Sequence, residues 1–255
     1  MGSTKQKLKR NEPALGGWIM IGHPVVSALM ASEGFDWIGV DLEHTATSLQ
    51  DLSAITLEAS SRGCDVLARL DSCDPVQAQK ALDTGCTGII VPLINTAEEA
   101  KRAVMMAKFP PDGNRGAAFS RASDFGRNFT GYYKSHNESV VVAIMMEHIK
   151  AVENADAILS TPGIDAVFVG PYDLSASIGR AGELDHPEVQ LALQKILAAC
   201  KRHGVAAGIH VVRGTNIDVR ERIDQGYRFI ACSIDTEFVI QGCRRILGKS
   251  DPDSH

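Results

Sequence analysis

Short apolar runs recur along the chain, and each is followed by a stretch in which apolar residues return every three or four positions. The runs fall at 17–21, 37–41, 66–70, 88–92, 140–146, 165–169, 205–209 and 229–233. They are continuous rather than alternating, the pattern of parallel strands buried on both faces. The helical stretches fall at 25–34, 49–62, 75–84, 97–108, 151–160, 187–203, 215–225 and 237–247. Gly34, Gly63, Gly85, Gly204 and Gly226 follow helical stretches, where a left-handed terminator is wanted. Strand and helix alternating eight times predicts a single α/β domain over 1–255, a (β/α)8 TIM barrel, with loose tails at 1–12 and 249–255. One connection breaks the rhythm. Residues 110–139 are rich in Gly, Asn, Arg and aromatics, and a connector this long is functional or an interface.

Composition narrows the function without naming it. The chain has 255 residues and is 44% hydrophobic, enough for one large core. A net charge of −5 points away from nucleic acid and anionic membranes. No apolar run approaches the roughly 20 residues that span a bilayer. The first ten residues are polar and basic with no apolar segment behind them, which is not a secretory signal. The six cysteines include no C-x-x-C pair and read as reduced thiols of a cytoplasmic protein.

In such a barrel the active site lies at the C-terminal ends of the strands. Glu147 closes the fifth apolar run, and Asp173 follows the sixth across Gly170 and Pro171. Two carboxylates at successive strand ends suit a hard divalent cation, Mg²⁺ or Mn²⁺ with Co²⁺ accepted, and leave positions for water and substrate. The competing use of each is to cap the helix that follows it. Asp41, Glu43 and His44 end the second run, and a histidine backed by a carboxylate is a proton-transfer pair. Asp83 is a second candidate acid, from this chain or a neighbouring subunit. Arg69 lies within the third run, where a buried guanidinium needs either a substrate anion or an ion pair with Asp41 or Glu43. His23, and Gly170 with Pro171 and Tyr172, stand where a substrate pocket would be lined. No lysine falls inside a strand candidate, which argues against a Schiff-base aldolase. No G-x-G-x-x-G or P-loop signals a nucleotide cofactor.

These residues resemble the class II, metal-dependent 2-keto acid aldolases of the HpcH/HpaI family. The likeness is carried by VDLEH at 40–44, MME at 145–147, GIDAVFVGPYDLSASIG at 163–179, HPEV at 186–189 and FPPDGNRG at 109–116. The long segment around Gly170, Pro171 and Asp173 is specific, and the others are short. The resemblance implies metal ligands at Glu147 and Asp173 and an enolate-stabilising arginine at Arg69. It implies a catalytic histidine at His44, supported by Asp41 and Asp83, and a pyruvate carboxylate held by backbone near Gly170 and Asp173. It further implies a homo-oligomer, a hexamer built as a trimer of dimers. The expected reaction is cleavage of a 4-hydroxy-2-keto acid, such as a 2-keto-3-deoxy sugar acid, to pyruvate and an aldehyde. Oxaloacetate decarboxylation or a citrate synthase-like condensation would use the same enolate, and a non-catalytic metabolite-binding barrel is the reading from another class. Tyr172 and FSRASDFGR at 119–127 depart from the best-known members of the family and bear on the aldehyde.

Overall fold

A computed structural model describes residues 3–249. Eight parallel strands close into a barrel in sequence order, with β1 hydrogen-bonded to both β2 and β8. After helix α1 (Thr4–Lys9), the first half runs β1 (Ala14–Ile19), α2 (Pro24–Ser32), β2 (Trp37–Asp41), α3 (Leu49–Ser60), β3 (Asp65–Arg69), α4 (Pro75–Asp83), β4 (Gly88–Val91) and α5 (Ala97–Ala107). The long connection holds a single 3₁₀ turn (Arg121–Ser123) and α6 (Phe129–Ser139). The second half runs β5 (Val141–Met145), α7 (Ile149–Glu153), α8 (Ala155–Leu159), β6 (Ala166–Val169), α9 (Pro171–Ser177), α10 (Pro187–His203), β7 (Ala206–Val211), α11 (Asn216–Gln225), β8 (Phe229–Ile234) and α12 (Asp235–Leu247).

All eight expected strands form. β1 begins three residues before its expected start, because Gly16 and Gly17 interrupt the apolar pattern of Ala14 and Leu15. Gly16 is needed there: a Cβ at that position would lie 2.1 Å from the Trp37 ring. Trp37 in turn stacks on Phe229 at 4.2 Å, and Trp18 stacks on Phe168 at 5.4 Å, so aromatic side chains fill the barrel interior. Each such ring, fully buried, contributes about 2–3 kcal/mol. A second apolar layer, with Ile38, Val66, Ile89 and Val142 facing outward, packs the strands against the helices.

A loose tail is expected for 1–12, but its described part, from Ser3 onward, is ordered against the barrel. Thr4, Lys5 and Leu8 of α1 are buried across the N-terminal mouth of the barrel. Lys5 Nζ donates to the Val140 carbonyl at 2.5 Å and pairs with Asp165 at 3.0 Å, which offsets part of the cost of burying its charge; burial still holds the ammonium below its usual range. The expected tail 249–255 lies outside the described residues except for Lys249. The expected helix 151–160 is two short helices broken at Asn154, whose side chain donates to the Asn95 carbonyl at 2.9 Å. The connection 110–139 is fastened to the underside of the barrel by two arginines. Arg115 pairs with Asp83 at 2.7 Å, and Arg121 donates to the carbonyls of Thr84 and Ser53.

Candidate active site

At the C-terminal end of the barrel a cavity of about 220 Å³ opens among Trp18, Arg69, Phe168, Tyr172, Asp173 and His210, with Asp41, His44, Gly170 and Pro171 also lining it. A larger cavity of about 500 Å³ lies at the opposite end beside Leu8, Lys201 and Arg228. It gathers no buried charged side chain, so chemistry rather than volume assigns the site.

Asp41 organises one wall. It ends β2 and is fully enclosed. One carboxylate oxygen, Oδ1, accepts the backbone N–H groups of Glu43 and His44 at 2.9 and 2.8 Å. The other, Oδ2, accepts Trp18 Nε1 at 3.1 Å and Arg69 at 3.0 Å. Burial alone would push this carboxyl up. The His44 N–H, the Arg69 charge and the Trp18 N–H outweigh burial and hold it below the usual carboxylate range. Arg69 also meets Glu43 at 2.5 Å, as an ion pair without hydrogen-bond alignment. Both expected ion pairs of Arg69 therefore form, and its Nε–H is left buried without a partner. Glu43, not Asp41, stands beside the His44 ring, at 3.5 Å from Nε2. The His44 side chain is 58% exposed at the rim of the cavity.

Glu147 and Asp173 face one another over Gly170. A Cβ on Gly170 would lie 2.9 Å from Glu147 Oε2 and 3.4 Å from Asp173 Oδ2, so only glycine leaves that space open. Glu147 Oε1 accepts the Leu93 N–H at 2.9 Å, and Oε2 is buried with no partner. Leu93 holds a left-handed backbone, φ 54°, to present that N–H, a conformation costly for a non-glycine residue. Burial pushes the Glu147 carboxyl above its usual range, and the nearby Asp173 and Glu43 charges add to this against Leu93 and Arg69. Neither acid caps a helix. The cap of α7 is His148, and α9 has no side-chain cap at Gly170. An orphaned buried carboxylate oxygen facing a second, exposed carboxylate fits a divalent cation with open positions. Among the described residues no third His, Cys, Asp or Glu joins them.

A sequence profile of the HpcH/HpaI aldolase/citrate lyase family matches residues 15–242. The chain belongs to that family. It is an aldolase-type lyase. It is 35% identical over 252 residues, 97% of this chain and 98% of the other, to the 2-dehydro-3,6-dideoxy-6-sulfogluconate aldolase of Pseudomonas putida. It is 31% identical over 231 residues, 91% and 90% of the two chains, to the 5-keto-4-deoxy-D-glucarate aldolase of Klebsiella pneumoniae. A crystal structure of an HpcH/HpaI aldolase/citrate lyase family protein from Burkholderia cenocepacia superimposes with a TM-score of 0.91 at 33% identity, covering 96% of this chain and 97% of that one.

Not every residue singled out in this HpcH/HpaI chain reaches the cavity. His23 is outside its lining and caps α2, its Nδ1 accepting the Val25 N–H at 3.2 Å. Asp83 ends α4, at the opposite end of the barrel from His44, in its pair with Arg115. Seven lining residues were not among the expected site residues: Trp18, Met20, Met145, Phe168, His210, Val212 and Ile234. Trp18 and Phe168 look like ordinary core. His210 directly follows the apolar run 205–209, one residue before the end of β7, and a polar residue at that position was its available signal.

Proposed function

We propose that this enzyme cleaves a 4-hydroxy-2-keto acid, of the 2-keto-3-deoxy sugar acid type, to pyruvate and an aldehyde. The observation that carries this reading is the convergence of the Glu147 and Asp173 carboxylates over Gly170, where Gly170, Asp173 and Arg69 line the cavity and Glu147 lies buried behind it. The sugar-acid aldolases named above, matched over at least 90% of each chain, support the substrate class.

A divalent cation, Mg²⁺ or Mn²⁺ with Co²⁺ accepted, held by Glu147 and Asp173 would supply Lewis-acid polarisation of the substrate's keto oxygen. The chain's own residues do the rest. Arg69 places positive charge, and the unpartnered Nε–H, where negative charge develops on the pyruvate half. Asp41 fixes the Arg69 fork and the 42–44 backbone together, so the two reacting ends of the site are held in one frame. His44, beside Glu43, takes the C4 hydroxyl proton. The oxygen's electrons become the aldehyde carbonyl, the C3–C4 bond breaks, and its pair passes into the enolate. Protonation at C3 then gives the pyruvate methyl.

Asp83 enters this scheme only from another copy of the chain, since its own barrel holds it at the far end. Helix α12 offers a surface for such assembly, with Phe238, Val239, Ile240, Ile246 and Leu247 exposed. A homo-oligomer, a hexamer of three dimers, suits both observations. The six free cysteines suit a reducing, cytoplasmic location. No helix among the described residues is long and apolar enough to cross a membrane.

The test is methyl proton exchange of pyruvate in heavy water, followed by NMR, with Mg²⁺ or Mn²⁺ and with a chelator. Cation-dependent exchange is the expected result. A folded protein that exchanges nothing with any cation would exclude the enolate.

A further inference from the structure

The floor of the cavity carries one polar group that the scheme above leaves unused. His210 lies on β7, its ring 5.3 Å from Trp18 and 6.1 Å from Phe168. Its Nε2 is 3.1 Å from the Ser233 carbonyl oxygen. A carbonyl only accepts, so Nε2 carries the proton. Burial pushes the imidazole down to about 4, with the Arg69 charge acting the same way against the Ser233 carbonyl and Asp41, so the ring is neutral at physiological pH. Nδ1 is then a bare acceptor. It has no hydrogen-bond partner among the described residues and is not enclosed by protein, and the ring lines the cavity. Nδ1 therefore opens onto the cavity.

The tautomer is built in. Ser233 holds a left-handed backbone, φ 65°, and its hydroxyl donates to the Val212 carbonyl at 2.9 Å. A strained, hydrogen-bonded serine thus aims its carbonyl at the ring and keeps the lone pair of Nδ1 on the other side. Around it the floor is apolar, with Met145, Val212 and Ile234 beside the aromatic rings. An acceptor in such surroundings loses its water when a ligand enters, and the loss is recovered only if the ligand brings a donor. Asp41 offers no equivalent, because it is saturated by its four hydrogen bonds.

We propose that His210 is a specificity-determining residue whose Nδ1 accepts a hydrogen bond from a hydroxyl of the aldehyde half, so that the site prefers hydroxylated aldehydes to apolar ones of the same length. This rests on the aldolase reading and adds the acceptor's chemistry to it.

Pyruvate addition to acetaldehyde and to glycolaldehyde, which differ by one hydroxyl, tests the assignment in the wild type, His210→Leu and His210→Asn. The readout is the ratio of kcat/KM for the two aldehydes within each protein, which does not change with the fraction of enzyme that folds. The ratio in favour of glycolaldehyde should fall on the order of tenfold in His210→Leu, the effect of one lost hydrogen bond. His210→Asn keeps an acceptor oxygen near the Nδ1 position and should restore most of it. An unchanged ratio, with both rates lowered together, makes His210 a packing residue and overturns the proposal alone. Absence of pyruvate methyl exchange in the wild type overturns the aldolase reading, and this inference with it.

Discussion

Asp41 and Arg69 are register partners on neighbouring strands, and their side chains meet at 3.0 Å inside the mouth of the barrel. Parallel pairing of β2 with β3 sets this contact before any substrate arrives. The side chains are 2% and 9% exposed, so neither charge has water to fall back on. Removing one partner of a buried pair costs about 3–5 kcal/mol. Arg69→Met should therefore lower the unfolding temperature by roughly 10 °C, as well as abolishing turnover. Arg69→Lys keeps the charge but reaches one carboxylate instead of two, and should fall between. A melting curve for Arg69→Met that matches the wild type would show that Asp41 does not depend on this arginine.

Glu147 gives an opposite expectation. Its carboxyl is held above the usual range by burial, so the ionised form at neutral pH costs stability in the folded chain. Glu147→Gln preserves an acceptor for the Leu93 N–H and removes the charge. Without added cation this variant should be more stable than the wild type at pH 7.5, by about 1 kcal/mol. Added Mn²⁺ should raise the melting temperature of the wild type and leave the variant unmoved. Equal stabilisation of both proteins by Mn²⁺ would place the cation elsewhere.

Gly170 tests the same pair by shape instead of charge. Its backbone, φ −94°, is open to any residue, so an added methyl brings no backbone strain. The methyl would sit against Glu147 Oε2 at 2.9 Å and push the two carboxylates apart. Gly170→Ala should fold with native circular dichroism, lose Mn²⁺-dependent stabilisation and lose at least tenfold in pyruvate exchange, about 1.4 kcal/mol. Retained exchange would mean that the space over Gly170 is not used.

The strands were legible because a parallel barrel buries both faces of each strand, which leaves an apolar run that needs no partner to be recognised. The strand-end charges Asp41, Arg69, Glu147 and Asp173 stood out because a charge closing such a run has no packing reason to be there. A histidine before Pro24 suits a pocket-lining loop and a plain surface turn equally, and neither reading contains what the structure shows, Nδ1 capping α2. Asp83 cannot be placed by pattern, because its neighbour Arg115 comes from the irregular connection 110–139. Helix α1 was missed because Lys5 is buried, and its partner Asp165 lies 160 residues away in sequence. Trp18 and His210 were missed for a plainer reason. Their roles depend on which face of the strand points inward at the rim, and a continuous apolar run does not say.

The buried histidines set an acid limit on the fold. His210 and His136 are both pushed down to about 4, chiefly by burial, with the Arg69 and Arg115 charges acting in the same direction. In the unfolded chain each ring titrates near 6.5. Between these values the unfolded state binds protons that the folded state refuses, so stability falls as pH drops from about 6.5 toward 4. Above 6.5 both states are neutral and the contribution is complete. By pH 5 each ring should have cost roughly 2 kcal/mol. Asp41 does not confuse the window, because a carboxyl held below its usual range loses its stabilising effect only at lower pH. Urea denaturation at pH 7.5 and pH 5 should show the loss in the wild type. The double variant His136→Gln, His210→Asn should lose about 4 kcal/mol less between the two pH values, whatever its stability at pH 7.5. An equal loss in both proteins would assign the acid sensitivity to carboxylates instead of these two rings.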